Sequence, residues 1–224
     1  MHGRKYVNAA ATCDVMFVNS EFTGRDVIQT LGVEPERVHV AHPAAKEVFQ
    51  PDGPAADLGG PYVLTVATLE PRKNLQALVE AHRLLGDELL LAVVGGEGWG
   101  DQPLLDDPRI RRLGYVSDEE LARLYRGASV AAYPSRFEGF GIPVIEAMAC
   151  GAPVVVSSHE SLDEASGDAA VRADPDDPGA IAAAIERALA EREQLIAAGL
   201  EHSRSFTWRA LGEIFLRAYE EAVR

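Results

Sequence analysis

Four short apolar runs separated by helical patterns constrain the fold more than any other feature of this chain. Residues on both faces of each run are aliphatic or β-branched, as in strands covered by helices on either side. This order predicts a parallel, doubly wound α/β sheet whose ligands lie beyond the carboxyl ends of the strands. The predicted strands are Tyr62–Thr68, Leu89–Gly95, Ser129–Ser135 and Pro153–Ser158, and the predicted helices are Asn74–Leu85, Asp118–Gly127, Pro143–Cys150 and Gly179–Glu193.

The first 45 residues form a separate predicted segment. A helix before Cys13, a strand Asp14–Ser20, a helix Glu21–Leu31 and a strand Arg37–Pro43 could continue a sheet, but they are too few to close a core alone. The following stretch, Pro43–Pro61, is rich in Pro, Gly and Ala and is typical of a linker. Near the other end, a helix is predicted with an apolar face of Leu211, Ile214, Phe215 and Ala218.

Charge and cysteine content exclude several classes of function. Lys and Arg number 21 against 35 Asp and Glu, and the net charge of −14 argues against a nucleic acid or anionic lipid partner. Cys13 and Cys150 lack metal-binding or redox spacing, which favours a reducing compartment. No apolar run is long enough for a transmembrane helix, and the first residues lack a secretory signal. We therefore expect a cytoplasmic protein.

Two adjacent cations follow the first predicted strand, in the stretch TLEPRKNL. Arg72 and Lys73 stand where the next helix begins, and cations are unfavourable there because of the helix dipole. A bound phosphate or diphosphate would reconcile both charges with that position. The alternative is a solvated pair beside Glu70, and position alone does not separate the two interpretations.

The stretch SRFEGFGIPVIEAMACG, from Ser135 to Gly151, places two glutamates around a glycine-bearing run. Glu138 is predicted in the loop after the third strand, and Glu146 about one turn inside a helix that starts near Pro143. Two such carboxylates can accept hydrogen bonds from the hydroxyls of a ribose or hexose, with main-chain N–H groups of residues 139–141 between them. As a bare pattern, however, two glutamates at this spacing are common by chance.

Other patterns are weaker. GGEGWG, at Gly95 to Gly100, does not fit the dinucleotide fingerprint, but a ligand could pass close to Gly95. Tyr115 and Val116 precede a capping box of Ser117 and Glu120, and either line a slot for a planar ring or pack in the core. Asp174–Asp176 is more typical of a turn before a helix than of a metal site, and His39 with His42 lacks a third ligand.

Four segments in this order resemble the donor-binding half of the retaining GT-B glycosyltransferases (glycosyltransferase family four), which include many bacterial mannosyltransferases. They are EPRKNL, LGYVSDEEL, PSRFEGFGIPVIEAMACGAPVVVS and SFTW, and the resemblance covers roughly residues 17–219. The motif consists of two glutamates separated by seven residues. In this glycine and proline context it is far more specific than the bare spacing. The resemblance implies a Rossmann-like, GT-B C-terminal domain that binds a nucleotide-diphosphate sugar, with a weak preference for GDP-mannose.

The resemblance also implies a role for each motif residue. It implies that no metal or other cofactor is needed, because the basic pair and the helix ends stabilise the leaving diphosphate. Arg72 and Lys73 are implied to bind the diphosphate, and Glu138 to face the transferred sugar. The main chain of Gly139, Phe140 and Gly141 is implied to meet the sugar hydroxyls. Glu146 is implied to bind the ribose, and Tyr115 and Val116 to lie beside the base.

The resemblance implies that this chain departs from the family pattern by lacking most of the acceptor-binding domain. The resemblance implies that residues 1–45 are the tail of that domain, 46–205 the nucleotide-sugar domain and 206–224 a crossover helix. We therefore expect a fragment, a split subunit or a truncated product whose acceptor, a carbohydrate or a lipid-linked molecule, needs a missing domain or a partner subunit. The alternatives are a non-catalytic module that binds a nucleotide sugar, and a nucleotide-sugar epimerase of related fold.

Overall fold

The computed structural model describes residues 2–96, 98 and 107–223 and divides into two compact units. One consists of the residues up to Ala44 together with those from Phe206 onward, and the other is Ala45–Ser205. The strands are β1 (Met16–Val18), β2 (Val38–Val40), β3 (Tyr62–Val66), β4 (Leu90–Val94), β5 (Ile110–Gly114), β6 (Val130–Tyr133), β7 (Val154–Ser157) and β8 (Ala170–Ala173). The helices are α1 (His2–Thr12), α2 (Glu21–Leu31), α3 (Leu75–Leu84), α4 (Asp118–Gly127), α5 (Ile142–Ala149), α6 (Asp163–Ser166), α7 (Pro178–Ala190), α8 (Arg192–Ser203) and α9 (Trp208–Ala222).

The larger unit contains the predicted doubly wound sheet. Its strand order is β5-β4-β3-β6-β7-β8, and every described pairing is parallel. The order reverses between β3 and β6, because the chain moves outward on one side of β3 and then returns to its other side. In sheets of this kind a crevice opens at the carboxyl ends of the two strands that flank the reversal. The loops after β3 and β6 are therefore the ones that can hold a ligand.

Both faces of the central strands are buried. Val63 and Val93 contact a core that also contains Ile181 and Ile185 of α7, and α3 packs on α7 beside them. Leu64 of β3 points to the opposite face because side chains alternate along a strand, and it is fully buried as well. The predicted coverage by helices on either side is confirmed.

The two outer strands, β5 and β8, were not predicted. The β5 sequence IRRLG carries two exposed arginines, and β8 carries the half-buried Arg172. An edge strand pairs on one side only and tolerates charge, so it lacks the continuous apolar run that marks the central strands.

Of the four helices predicted around the sheet, α4 has the predicted bounds, α3 and α5 differ by one residue at each end, and α7 differs more. The predicted helix Gly179–Glu193 starts at Pro178, capped by Asp177, and ends at Ala190, after which α8 begins at Arg192. α5 starts at Ile142 with Pro143 in its first turn, as expected for a residue without an N–H. Ser117 caps α4 as predicted, since its hydroxyl accepts a bond from the Glu120 N–H at 3.3 Å, whereas the Glu120 carboxylate accepts from Arg123 at 2.8 Å.

The predicted linker Pro43–Pro61 has no helix or strand in the described chain, but it is not a free tether. Phe49 is buried and stacks edge-on against Tyr125 of α4, with ring centroids 5.9 Å apart. Arg126 donates to the Pro54 carbonyl at 2.8 Å. The segment from Phe49 to Ala56 is thus packed along α4, which explains its irregular yet ordered path.

The smaller unit has a sheet of its own. β1 and β2 pair in parallel with each other, instead of extending the six-stranded sheet as the sequence allowed. Phe17 of β1 lies 4.1 Å from Phe215 and 5.6 Å from Tyr219 of α9, measured between ring centroids. Leu216 and Tyr219 on that helix are nevertheless exposed. None of the helices in the described residues is long and apolar enough to cross a membrane.

Candidate functional site

The loops after β3 and β6 meet at the point where the strand order reverses. After β3 the chain makes a 3-10 turn, Pro71–Lys73, before α3 begins at Leu75. The backbone N–H of Arg136, in the loop after β6, donates to the Arg72 carbonyl at 2.8 Å. The main chain therefore joins the two loops that carry most of the predicted site residues.

Glu138 binds both cations of the 3-10 turn Pro71–Lys73, the basic turn. Its two carboxylate oxygens accept separate bonds, one from Arg72 Nη1 and one from Lys73 Nζ, each at 2.7 Å. Arg72 also donates through Nε to Glu70 at 3.0 Å. The side chains of Glu138 and Lys73 are only 11% and 14% exposed, whereas that of Arg72 is 34% exposed. The three residues form one half-buried ionic cluster at the reversal point.

The electrostatic balance at Glu138 favours the charged carboxylate. Burial by itself would raise its pKa, but the neighbouring charge and hydrogen bond of Lys73, together with Ser135 and Arg72, outweigh burial and lower the pKa below its usual value. The position of the basic pair predicted a neighbouring anion, either a bound phosphate or Glu70. Among the described residues, the anions that contact these cations are Glu138 and Glu70.

Asn74, which the sequence analysis assigned only as the start of a helix, lies at the centre of this loop cluster. Its side-chain amide donates to the Pro134 carbonyl at 3.0 Å and to the Pro175 carbonyl at 2.6 Å. Its φ is +56°, a left-handed conformation that asparagine tolerates better than most residues. The asparagine after the basic pair was a readable signal for this turn.

Three further side chains that the sequence analysis missed support the Glu138 loop. Ser161 Oγ accepts a bond from the Glu138 N–H at 2.9 Å, and His159 Nδ1 lies 2.9 Å from the same oxygen. Ser135, which is buried, bonds to the Glu138 carboxylate. No spacing rule predicts Ser161 or His159, because they follow β7 and reach the loop only through the fold.

The segment Gly139–Gly141 is shaped mainly by the protein interior. The Phe140 side chain is 2% exposed and is part of the core, while Gly139 is exposed beside it. Gly141 has a φ of +107°, and a Cβ there would lie 2.8 Å from Leu162 Cδ2. The close approach that the glycines suggested is therefore made, at Gly141, by a side chain of the protein.

Glu146 lies in an environment opposite to that of Glu138. It sits one turn inside α5, where burial and the nearby Asp118 raise its pKa to about 7, against smaller opposing contributions from Lys46 and a hydrogen bond from Tyr125. The Tyr133 hydroxyl donates to the Tyr125 hydroxyl at 3.0 Å, so the carboxylate ends a short buried chain of polar groups. Lys46 and Asp118 form an exposed pair at 2.6 Å, and neither was predicted.

One cavity of about 330 Å³ brings together five of the predicted site residues and Asp118. Tyr115 is 87% exposed, so core packing does not explain it, whereas Val116 is half-buried. The Glu138–Gly141 segment and Glu146 are not in the cavity lining, although Glu138 contacts two residues that are. The predicted residues in the lining are Arg72, Lys73, Gly95, Tyr115 and Val116.

Gly95 is required by the chain itself, whether or not a ligand passes close to it in the cavity. Its φ is +138°, and a Cβ at this position would lie 2.1 Å from the Ala67 carbonyl oxygen. The backbone of the loop after β3, not a ligand, excludes a side chain there. The later residues of the GGEGWG stretch, apart from Gly98, lie outside the described residues.

The acidic and histidine pairs have structural roles. Asp174 accepts a bond from the Asp176 N–H at 2.9 Å, as expected for a turn, and Asp176 pairs with Arg136, while the next residue, Asp177, caps α7. His39 and His42 lie beside Phe17 and Phe206 respectively, with ring centroids 5.9 and 5.7 Å apart. In the described ranges no cluster of three or more His, Cys, Asp or Glu side chains could hold a metal ion.

Residues 49–201 match the family model for glycosyl transferases group 1. The O-antigen chain mannosyltransferase B of Escherichia coli is 36% identical to this chain over 224 positions, which cover 90% of this chain and 59% of the relative. The serotype-specific mannosyltransferase WbdA of the same species is 29% identical, covering 96% of this chain and 30% of the relative. The chain thus spans well under two thirds of either relative.

Solved structures share the fold. The sucrose-phosphate synthase of Thermosynechococcus elongatus superposes with a TM-score of 0.81 at 24% identity, covering 98% of this chain and 61% of the other. Anabaena Alr3699/HepE, solved in complex with UDP and glucose, gives 0.81 at 18% identity, with coverage of 97% and 65%. At these identities the likeness concerns the fold alone.

Proposed function

The chain belongs to the glycosyl transferases group 1 family, and we propose that it is the donor-binding half of a retaining glycosyltransferase that uses a nucleotide-diphosphate sugar. The observation that carries the proposal is the convergence of Arg72 and Lys73 on Glu138 at the strand reversal, beside a cavity that extends to Tyr115. A doubly wound sheet binds its ligands at that point.

The basic turn is suited to a diphosphate. The Lys73 ammonium has three protons and gives one to Glu138 among the described contacts, and the Arg72 guanidinium keeps donors beyond its bonds to Glu70 and Glu138. Both side chains line the cavity. A diphosphate there would lie close to Glu138, so the carboxylate would be near the first atom of the attached sugar.

Glu146 and Tyr115 extend the proposed site toward the nucleoside. An exposed tyrosine ring at the cavity wall offers a flat apolar face to a base. Glu146 can accept hydrogen bonds from ribose hydroxyls, and its neighbours Tyr125 and Asp118 restrict where such hydroxyls can lie. The donor would therefore lie with its base at Tyr115, its ribose at Glu146, its diphosphate at the basic turn and its sugar at Glu138.

The proposed reaction breaks the bond between the sugar C1 and the diphosphate oxygen and forms a bond between C1 and an acceptor hydroxyl oxygen on the same face. The acceptor proton leaves with the diphosphate. Arg72 and Lys73 would stabilise the negative charge that develops on the leaving oxygen. Electrostatic stabilisation of this kind is usually the largest single contribution to lowering the barrier. The anomeric configuration is retained because attack and departure share one face.

GDP-mannose is the first donor to test. Two relatives that match most of this chain are mannosyltransferases, which supports a mannose donor. The Anabaena protein was solved with UDP and glucose, and it supports a uridine donor only through the shared fold. A titration panel of GDP, UDP, GDP-mannose and UDP-glucose, followed by calorimetry, decides between them.

The proposal requires that the basic turn bind phosphate rather than the nucleoside. Lys73→Ala and Arg72→Ala should each weaken nucleoside diphosphate binding by about 1.5 to 3 kcal/mol while leaving nucleoside binding nearly unchanged. Arg187→Ala, which removes an exposed cation paired with Glu191, is the matched control. Equal losses for GDP and guanosine, and for UDP and uridine, would contradict the assignment.

A second measurement separates donor binding from transfer. A radiolabelled donor is incubated with the chain and with candidate carbohydrate or lipid-linked acceptors. We expect binding without transfer, since the acceptor must be held in a fixed geometry and proximity accounts for roughly 7 to 11 kcal/mol of barrier lowering. Rapid transfer by this chain alone would show that it already contains an acceptor site.

A further inference from the structure

The basic turn holds two like charges next to each other at the start of α3, which is electrostatically unfavourable. Arg72 and Lys73 repel each other, and the positive end of the α3 dipole repels both. Glu138 offsets this repulsion only if the turn stays within hydrogen-bond distance of it. Something must hold the main chain of the turn in place, because Lys and Arg side chains are long and flexible.

The main chain is tied down on both sides of Lys73. On one side, the Arg72 carbonyl accepts from the Arg136 N–H at 2.8 Å. On the other side, Asn74 uses both protons of its side-chain amide, one on the Pro134 carbonyl after β6 and one on the Pro175 carbonyl after β8. Asn74 is buried, so these bonds are shielded from water. One residue therefore joins the loops that follow three different strands.

Asparagine meets two requirements at this position. The chain must pass from the 3-10 turn into α3, and it does so through the positive φ of Asn74, a conformation that no other non-glycine residue adopts in the described part of the chain. Glycine would adopt this φ but has no side-chain amide. Aspartate would tolerate the φ, but its ionised carboxylate has no proton to donate.

We propose that Asn74 is a positioning residue that holds Arg72 and Lys73 at the distance from Glu138 at which the three side chains receive the diphosphate end of the donor. The role in donor binding rests on the proposed function. The positioning of the cations against Glu138 does not, because that contact exists within the chain itself.

The test compares Asn74→Gly, which keeps the φ and removes the amide, with Asn74→Ala, which also disfavours the φ. For each variant, calorimetry gives the affinity for GDP and guanosine, and for UDP and uridine. We expect the diphosphate affinity to fall about 25-fold in Asn74→Gly and further in Asn74→Ala, since two hydrogen bonds are lost and each changes an equilibrium about fivefold, while nucleoside affinity changes less than twofold. Asn19→Gly, at an exposed asparagine, is the matched control and should change neither.

A second readout requires no ligand. The Glu138 carboxyl carbon is followed by NMR through a pH titration. Because Lys73 and Arg72 hold the pKa of Glu138 below its usual value, we expect the midpoint to move upward in both Asn74 variants and to stay unchanged in Asn19→Gly. A residue that only stabilised the loops would lower the melting temperature and leave this midpoint and the diphosphate preference unaltered.

The outcomes separate the two proposals. If the wild type does not prefer a nucleoside diphosphate over its nucleoside, the proposed function fails, and the Glu138 titration still tests the positioning role. If Asn74→Gly keeps both the wild-type titration midpoint and the wild-type diphosphate preference, the positioning proposal is wrong. A loss in Asn74→Ala alone would also overturn it, since the backbone conformation and not the amide would then be responsible.

Discussion

Glu138 and Glu146 stand eight residues apart in one motif, yet their surroundings are opposite. Glu138 lies in a loop that two cations reach, and those cations lower its pKa. Glu146 lies inside α5, where burial and Asp118 raise its pKa to about 7. Two carboxylates with separated pKa values can take different roles in one site. The contrast teaches that the neighbours supplied by other loops, not the residue type, decide what each glutamate can do.

The largest expected effect concerns the cations that Glu138 neutralises. Glu138→Gln keeps the shape of the side chain but leaves Arg72 and Lys73 without that counter-charge. Breaking a buried pair is strongly destabilising, and because Arg72 is partly exposed we expect a loss of about 2 to 3 kcal/mol in the free energy of unfolding at pH 7. Urea unfolding measures it, with Glu186→Gln on the exposed face of α7 as the control. A change below about 0.5 kcal/mol, the range of ordinary surface substitutions, would contradict the prediction.

The pH dependence of stability should have opposite signs at the two glutamates. The folded state raises the pKa of Glu146 to about 7, so folded Glu146 keeps a proton that the unfolded chain has released. Its contribution to stability is therefore lost as the pH rises from about 4.5 through 7, by about 2 kcal/mol for a half-buried group. The contribution of Glu138, whose folded pKa is lowered, is lost as the pH falls below 4.5, the usual pKa of glutamate.

Unfolding curves of the wild type, Glu138→Gln and Glu146→Gln between pH 3 and 8 provide the comparison. Subtracting each variant from the wild type isolates the contribution of one carboxyl. Two difference curves with the same slope would mean that the two environments do not differ as described.

A smaller effect separates the two glutamates by ligand chemistry. Glu146→Ala should reduce the preference for a ribonucleotide over its deoxy analogue by about 1 to 1.5 kcal/mol, the value of one hydrogen bond to a hydroxyl. Glu138→Gln should leave that preference unchanged. Calorimetry with GDP and deoxy-GDP, or with UDP and deoxy-UDP, measures both. A wild type that does not distinguish the two nucleotides would assign Glu146 to packing instead.

The smallest expected effect comes from the tyrosine beside Glu146. The Tyr125 hydrogen bond lowers the pKa of Glu146, so Tyr125→Phe should raise that pKa further, by less than about one unit. Carboxyl-carbon NMR follows the titration, and Tyr62→Phe, which removes a hydroxyl bonded to the Leu124 carbonyl elsewhere on α4, is the control. A downward shift would show that the hydroxyl does not stabilise the charged carboxylate.

Much of the fold was readable from the sequence because the central strands and their helices have strong periodic patterns. The runs at Tyr62 and Pro153 are mostly aliphatic or β-branched on both faces, as in strands buried on both sides. β5 and β8 were missed because both edge strands carry arginines. The separate pairing of β1 with β2 was not predicted, because nothing in their local pattern specifies a partner. The residues of the predicted site remain predictions until a ligand is bound, although five of them line one cavity.

The parallel sheet, the capping of α4 by Ser117, and the choice of the two glutamates and the basic pair as site residues all followed from the amino-acid sequence. These depend on local periodicity and on residue chemistry, which a linear chain displays directly. Three other features became visible only in the folded chain: Glu138 binds Arg72 and Lys73, Asn74 joins three loops, and Ser161 supports the Glu138 backbone. Those contacts join residues from 23 to 101 positions apart, and the pKa of a carboxyl depends on charges within a few ångströms of it, wherever in the chain they originate.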